Sequence, residues 1–203
     1  MIVVDLEMSG TDPEKCGIVE IGAVELESPK NIFSQEAKLE KEEIIYNDPT
    51  CQKTVLEVLN KTEEELRKPK RQTQKELLVN FFEWISKTPD KVFVCQNYLD
   101  ILFIRLKCKK YSLAPPPVMF IDIGSVAQTK YYALYKKPLI NAEGFNDMTL
   151  KKVSEFCGML DERKSHTALE DVKFEAELIS RLLNGKNLFK EYKQFKIPPH
   201  LLK

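Results

Sequence analysis

Two carboxylates near the start of the chain, Asp5 and Glu7, are spaced for joint chemistry. They follow the apolar run from Ile2 to Val4, and a turn comes soon after them. Side chains alternate between the two faces of a strand, so both acids share one face. Neighbouring carboxylates repel each other and resist burial, and a bound Mg²⁺ or Mn²⁺ relieves both effects. The alternative is that both acids lie on the solvated face of an edge strand.

Three more candidate residues stand at predicted element boundaries. Asp100 begins a helix directly after a buried strand, where ligands of open α/β sheets gather. His166 stands at the start of the last long helix, predicted over residues 166–183, and Asp171 follows about one and a half turns later. Each has a structural alternative, such as an acid stabilised by a helix dipole or a surface cap. Their joint placement favours one shared site.

The hydrophobic pattern predicts a single α/β domain with a mixed central sheet and helices on its faces. Gly22, inside the second predicted strand, indicates a bulge or a close backbone approach. Strands are predicted within residues 1–10, 17–26, 31–39, 91–95 and 118–122, and helices within 48–68, 73–87, 98–111, 123–135, 149–157 and 166–183. The tail carries Pro198 and Pro199 and is expected to wrap the surface.

Composition excludes several classes of protein. The 203 residues carry 31 Lys and Arg against 31 Asp and Glu, which does not suit coating of long nucleic acid by charge alone. The five cysteines are scattered without a C-x-x-C pair, so we predict a cytoplasmic protein without disulfides or a zinc site. No apolar run reaches transmembrane length, and Asp5 leaves no room for a signal peptide.

Two motifs resemble those of a known family, the DEDDh 3′–5′ exonucleases, which include proofreading subunits, RNase T and oligoribonuclease. Asp5-Leu6-Glu7-Met8-Ser9-Gly10, followed by an Ile-Val-Glu-Ile-Gly strand, looks like the first motif of that family. The run from His166 to Asp171 resembles the third, His-x-Ala-x-x-Asp, and Asp122 matches a recurrent acid. The resemblance spans roughly residues 1–184. It implies a ribonuclease-H-like fold, an exonuclease domain over residues 1–186 and a tail over 187–203 packed on the same domain.

The resemblance also implies a mechanism with two Mg²⁺ or Mn²⁺ ions. Asp5 is expected to bridge both ions, Glu7 and Asp171 to complete one shell, and Asp100 to hold the second ion. His166 is expected to be the general base, a role that an imidazole suits near neutral pH. Expected substrates are single-stranded DNA or RNA 3′ ends, with nucleoside 5′-monophosphates released. Expected substrate contacts are Met8, the Ser9 and Gly10 amides, Asn97 and Tyr98. Relatives are often dimers, so a homodimer is a further expectation.

The second motif departs from the family, which usually shows Asn-x-x-Phe-Asp. Here Asn97-Tyr98-Leu99-Asp100 is one residue shorter, so either the turn is tighter or Gln96 replaces the usual Asn. This departure keeps two rival functions open. One is a non-catalytic nucleic-acid-binding or polymerase-associated module with a decayed site. The other is a phosphoesterase that acts on small nucleotides.

Overall fold

A computed structural model describes residues 1–49, 53–96, 98–115, 119–163 and 167–202. Within these ranges five strands form one sheet: β1 (Ile2–Met8), β2 (Ile18–Glu25), β3 (Ile32–Glu36), β4 (Phe93–Cys95) and β5 (Phe120–Asp122). The α-helices are α1 (Val55–Leu59), α2 (Glu63–Leu66), α3 (Gln74–Ser86), α4 (Leu99–Lys110), α5 (Ile123–Tyr135), α6 (Leu150–Phe156) and α7 (Ala168–Asn184). Short 3₁₀ turns at Lys190–Tyr192 and Pro199–Leu201 complete the tail.

The sheet is mixed, with strand order β3-β2-β1-β4-β5. The first three strands are antiparallel neighbours, as short connections allow, whereas β4 and β5 join β1 in parallel after helical crossovers. β1 is therefore central, with β2 on one side and β4 on the other. The predicted mixed α/β sheet, flanked by helices, is confirmed.

Alternation along β1 sends its side chains into two different cores. Ile2, Val4 and Leu6 pack with α3 and α4 on one face of the sheet. Val3 packs on the other face, against residues of α5, α6 and α7. Because Asp5 and Glu7 have the same parity as Val3, they lie on the α7 face.

Gly22 allows the start of α7 to lie directly against the sheet. It pairs with Asp5 across the β1–β2 ladder. A Cβ at this position would lie 2.2 Å from the carbonyl oxygen of Ala168, the first residue of α7. The close backbone approach expected from the sequence is thereby confirmed. The ladder also shifts register between Glu7 and Met8, where β1 ends.

Local capping explains where several helices begin. Thr54, Thr62 and Thr73 each form a capping box with the Glu three residues later, at the starts of α1, α2 and α3. The box at Thr62 can be read from the sequence, in which Glu65 follows three residues later. The side chains of β5 are only half-buried, although its sequence is mostly apolar, because this strand lies at the edge of the sheet. The predicted residues Pro116, Pro117 and Val118 lie outside the described residues.

The C-terminal tail is held by a buried ion pair on α7. Arg181 and Glu177 have no exposed side-chain surface, and Arg181 Nε donates to Glu177 Oε1 over 2.8 Å. The guanidinium also donates to the carbonyl oxygens of Tyr192 and Phe195, both at 3.0 Å. Glu177 Oε2 accepts hydrogen bonds from the backbone amides of Leu188 and Phe189. These contacts tie residues 187–195 to the α7 face.

Four cysteines lie in the described part of the chain, and each is buried and outside any disulfide: Cys16, Cys95, Cys108 and Cys157. Burial raises the pKa of the Cys108 thiol to about 11 and that of Cys157 to about 12. Cys51 lies outside the described residues. Among the helices that the structure describes, none combines the length and apolar character that a membrane crossing requires.

Candidate functional site

Three carboxylates converge where β1 meets α7. One oxygen each from Asp5, Glu7 and Asp171 lies within 4.8 Å of the other two. β1 supplies the first two by its period of two, and the first turn of α7 supplies the third. Asp171 is far from the other two in the sequence, and the fold brings the three together.

Asp100 lies close enough to the same acids for its charge to raise the pKa values of Asp5 and Glu7. It lies in the first turn of α4, just after β4 ends, and it is 4% exposed. Burial raises the pKa of the Asp100 carboxyl to about 7. Hydrogen bonds to the backbone of Leu6 and of Asp100 itself oppose this rise. The shortened second motif therefore still brings an acid to the site.

The clustering of acids makes their charged forms costly. Burial, and then the charges of Asp171 and Glu20, raise the pKa of Glu7 to about 8, while Lys61 opposes this rise. Burial and neighbouring carboxylates also raise the pKa of Asp5 well above its ordinary range. Shifts of this kind mark sites where a cation or a proton has to compensate the charge.

Glu175 is an acid of this region that the sequence analysis does not single out. It lies on α7 four residues after Asp171 and is 2% exposed. Its pKa is raised well above the ordinary value, mainly by burial and then by the charges of Asp100 and Asp171. Nothing in its local sequence distinguishes Glu175 from the other acids of α7. Its spacing from Asp171 is the one indication of a shared role, because residues four apart lie on the same helix face.

Arg163 supplies the positive charge beside these acids. Its guanidinium forms an ion pair with Asp171 and also binds Asp161 through two nitrogens, at 2.7 and 2.6 Å. It lies over the ring of Phe174, 4.3 Å from the centroid. Arg163 thus joins the segment before α7 to one of the three clustered carboxylates.

The predicted substrate contacts have different outcomes. Ser9 is fully buried, and its amide donates to the carbonyl of Gly17 over 2.9 Å. Its hydroxyl donates to the carbonyl oxygen of Ile44 and accepts from the Gly17 amide. In this structure Ser9 therefore holds the turn together, and its expected contact with a nucleotide stays a prediction.

Met8 and Gly10 line a small cleft directly beside Glu7. The cleft has a volume of about 180 Å³. Its walls are mostly apolar and combine the end of β1, the 46–48 loop and α1, with Met8, Gly10, Tyr46, Val55, Val58 and Leu59 among the lining residues. A flat apolar group next to the carboxylates would fit this shape and chemistry.

Asn97 and His166 lie outside the described residues, so their predicted roles stay predictions. Tyr98 is 47% exposed and lies 5.7 Å from the ring of Phe120, between centroids. Asp122 accepts a hydrogen bond from the Ser125 amide and so caps α5. Its charge also contributes to the raised pKa of Glu175.

The donor set suits a hard divalent cation. Asp5, Glu7 and Asp171 offer oxygen ligands in one cluster, and oxygen is the ligand that Mg²⁺ and Mn²⁺ prefer. Burial and the charges of neighbouring carboxylates raise the pKa values of Asp5 and Glu7. Coordination by carboxylates at such a site is favourable because the ion removes their mutual repulsion.

Comparison with protein families gives one match over most of the chain. A family model described as an exonuclease, RNase T, matches residues 2–179. No curated protein sequence matches the chain significantly.

Similar solved structures share the fold at low sequence identity. The nuclease domain of 3′hExo, a DEDDh family member bound to rAMP, has 18% identity and a TM-score of 0.65, and the match covers 97% of this chain and 94% of that one. Cell-death related nuclease 4 has 15% identity and a TM-score of 0.66, with 92% and 64% covered. E. coli exonuclease I, in complex with a dA16 oligonucleotide, has 16% identity and a TM-score of 0.64, with 95% and 41% covered. The chain thus spans less than two thirds of the latter two proteins.

Proposed function

The chain belongs to the RNase T family of exonucleases, and from this premise we propose that it hydrolyses nucleic acid from the 3′ end and releases nucleoside 5′-monophosphates. The observation that carries the proposal is the convergence of Asp5, Glu7 and Asp171 within 4.8 Å. A strand and a helix, distant in sequence, place these three oxygen donors together. The cluster therefore has the ligands that metal-assisted phosphodiester hydrolysis requires.

In this proposal Asp5, Glu7 and Asp171 would hold one divalent ion, and Asp5 and Asp100 would hold a second. When bound, the ions supply orientation of the attacking water and neutralisation of charge on the leaving oxygen. His166 is the proposed general base, a role that an imidazole suits near neutral pH. Mg²⁺ and Mn²⁺ both fit an all-oxygen site.

The cleft beside Glu7 receives the terminal nucleotide. Met8 and the apolar residues of α1 contact the base, and Gly10 lines the same cleft. Tyr98 and Asn97 are proposed as further substrate contacts, and the open face of Tyr98 supports its part. Single-stranded DNA and RNA 3′ ends are the proposed substrates, in keeping with the oligonucleotide and nucleotide named in two of the structural matches.

The proposal treats residues 1–186 as the exonuclease domain and 187–203 as a tail of the same domain. The bonds from Arg181 and Glu177 to the tail backbone support this division. A homodimer is the proposed assembly, and size-exclusion chromatography with light scattering tests it. A cytoplasmic location stays a prediction.

A labelled-strand assay tests the function. The protein is incubated with 5′-labelled single-stranded DNA or RNA and Mg²⁺, Mn²⁺ or chelator. We expect a ladder that shortens from the 3′ end, is lost with chelator, and falls at least about 10³-fold in Asp5→Asn. Asp90→Asn is the matched control, because Asp90 is exposed near Met1, at the opposite end of β1.

Three results would contradict the proposal. Tight binding of the single-stranded DNA and RNA, without cleavage in the presence of either metal, would favour a non-catalytic module. Release of product only from small phosphoesters would favour the phosphoesterase. Equal loss of activity in Asp90→Asn and Asp5→Asn would show that loss of charge, and not the site, explains the effect.

A further inference from the structure

Glu175 has a buried oxygen for which the described residues supply no hydrogen-bond partner. The side chain is 2% exposed, and Oε2 makes no hydrogen bond to the described residues. A buried polar atom without a partner costs roughly 1–3 kcal/mol, and more when the group is charged. Two other buried acids form ion pairs: Glu43 with Lys107 at 2.6 Å and Glu177 with Arg181 at 2.8 Å. Glu175 therefore differs from them in a way that packing alone does not explain.

The position of Glu175 places it beside the proposed metal site. It lies one helical turn after Asp171, on the same face of α7. That face meets β1 and β2, where Gly22 allows the backbones to approach closely. Glu175 does not belong to the group whose oxygens lie within 4.8 Å of one another.

Neighbouring charges support a place for Glu175 close to Asp5 and Asp100. Among the charges that raise the pKa of Asp5, that of Glu175 has the largest effect, ahead of Asp100. Among those that raise the pKa of Glu175 itself, Asp100 has the largest effect and Asp171 follows. Glu175 therefore lies near the proposed metal ligands but outside the group formed by Asp5, Glu7 and Asp171.

We propose that Glu175 is a positioning residue for the second divalent ion, with its free oxygen accepting a hydrogen bond from a water molecule bound to that ion. The inference rests on the proposed metal-dependent function. A water fits better than direct coordination, because Glu175 lies outside the closely spaced group. Residues that contact metal-bound groups in this way commonly contribute a factor of 10–100 to metal affinity.

Mn²⁺ titration by calorimetry tests the proposal with the full chain. We expect two Mn²⁺ ions to bind the wild type with different affinities. Glu175→Gln should lower the affinity for the more weakly bound ion at least about 10-fold and leave the affinity for the more tightly bound ion nearly unchanged. Electron paramagnetic resonance gives an independent readout. In Glu175→Gln, we expect the spectrum of two coupled Mn²⁺ ions to be lost while the spectrum of a single bound ion remains. A merely structural role would not separate the two ions.

Glu170→Gln is the matched control, because Glu170 is exposed on the first turn of the same helix. It removes the same charge and is expected to leave both Mn²⁺ affinities unchanged. Glu175→Asp keeps a carboxylate on a shorter side chain and is expected to bind the weaker ion with intermediate affinity. It also serves if Glu175→Gln fails to fold, as judged by circular dichroism, and wild-type affinity in Glu175→Asp then overturns the proposal.

The outcomes separate this inference from the proposed function. If Glu175→Gln folds and binds both ions like the wild type, while the wild type degrades strands with metal, only the role of Glu175 is overturned. If the wild type binds no Mn²⁺, both proposals are overturned. Equal weakening of both ions would also contradict the assignment of Glu175 to the second one.

Discussion

Glu7 and Asp100 bind protons more tightly in the folded chain than in the unfolded one. Their pKa values rise from ordinary values of 4.5 and 3.8 to about 8 and about 7, mainly through burial. The unfolded chain loses these protons near pH 4, whereas the folded chain keeps them until pH 7 or 8. Folding without metal is therefore favoured at acid pH, and the advantage decreases as pH rises.

Without divalent metal, we expect the free energy of unfolding to fall as pH rises from about 4 to about 8. The raised carboxyl pKa values give this sign, because the unfolded state binds fewer protons throughout that window. Thermal unfolding in chelator from pH 5 to 8.5 measures the effect. Adding Mn²⁺ should restore stability at pH 8, and Glu7→Gln should reduce the slope. A melting temperature that rises from pH 5 to 8 in chelator would contradict the assignment.

At the scale of elements, the site depends on how closely α7 approaches β2. Gly22 lies opposite Asp5, and its hydrogen faces the carbonyl of Ala168 at the start of α7. The side chain of Glu20, on the same strand, accepts a hydrogen bond from the backbone of Ala168. These two contacts set the distance between the strand that carries Asp5 and the helix that carries Asp171.

Gly22→Ala is expected to destabilise the fold by about 1–3 kcal/mol, because the new Cβ would push α7 away from β2. It should also weaken Mn²⁺ binding, since Asp171 moves with the helix. Urea unfolding and calorimetry measure the two effects. Gly124→Ala is the control: its Cβ would lie 3.1 Å from the nearest atom, compared with 2.2 Å at Gly22. Equal stability of the two variants would show that the close approach is unimportant.

The elements that could be predicted from sequence are those with strong local signals. Period-two alternation predicts that Asp5 and Glu7 share a face, and the capping box at Thr62 is visible as a motif. The depth of each residue is not a local property. Glu175 and Glu170 look equivalent in the sequence, but one is buried against the sheet and the other is exposed. The hydrogen bonds of Ser9 likewise depend on Gly17 and Ile44, which come from two other segments.

For the whole molecule, the tail is fastened by one buried ion pair. Arg181 reaches three segments at once: Cys157 after α6, Asn187, and the carbonyls of Tyr192 and Phe195. A buried pair contributes little over an apolar replacement of the same volume, but removal of one partner leaves the other charge uncompensated. The sequence offers no sign of this role, because Glu177 and Arg181 also fit an ordinary surface pair at i, i+4 spacing.

Arg181→Met is expected to lower the free energy of unfolding by about 3–5 kcal/mol, because Glu177 then stays buried without its cation. The double variant, which combines Glu177→Leu with Arg181→Met, should lose less stability than the single variant, because it contains no uncompensated buried charge at this site. Urea midpoints of the three proteins test both statements. A double variant that is less stable than Arg181→Met would contradict this account and assign the stabilisation to the bonds themselves.

The four buried cysteines provide natural chemical reporters of opening. Cys16, Cys95 and Cys108 lie in the core between the sheet and helices α3 and α4, and Cys157 lies in the core on the α7 face. Their thiols are shielded from reagents while each core is closed, and the raised pKa values of Cys108 and Cys157 keep those two unreactive. The alkylation rate of each native cysteine, measured by peptide mass spectrometry, therefore reports how often the core on each side of the sheet opens. No introduced label is needed.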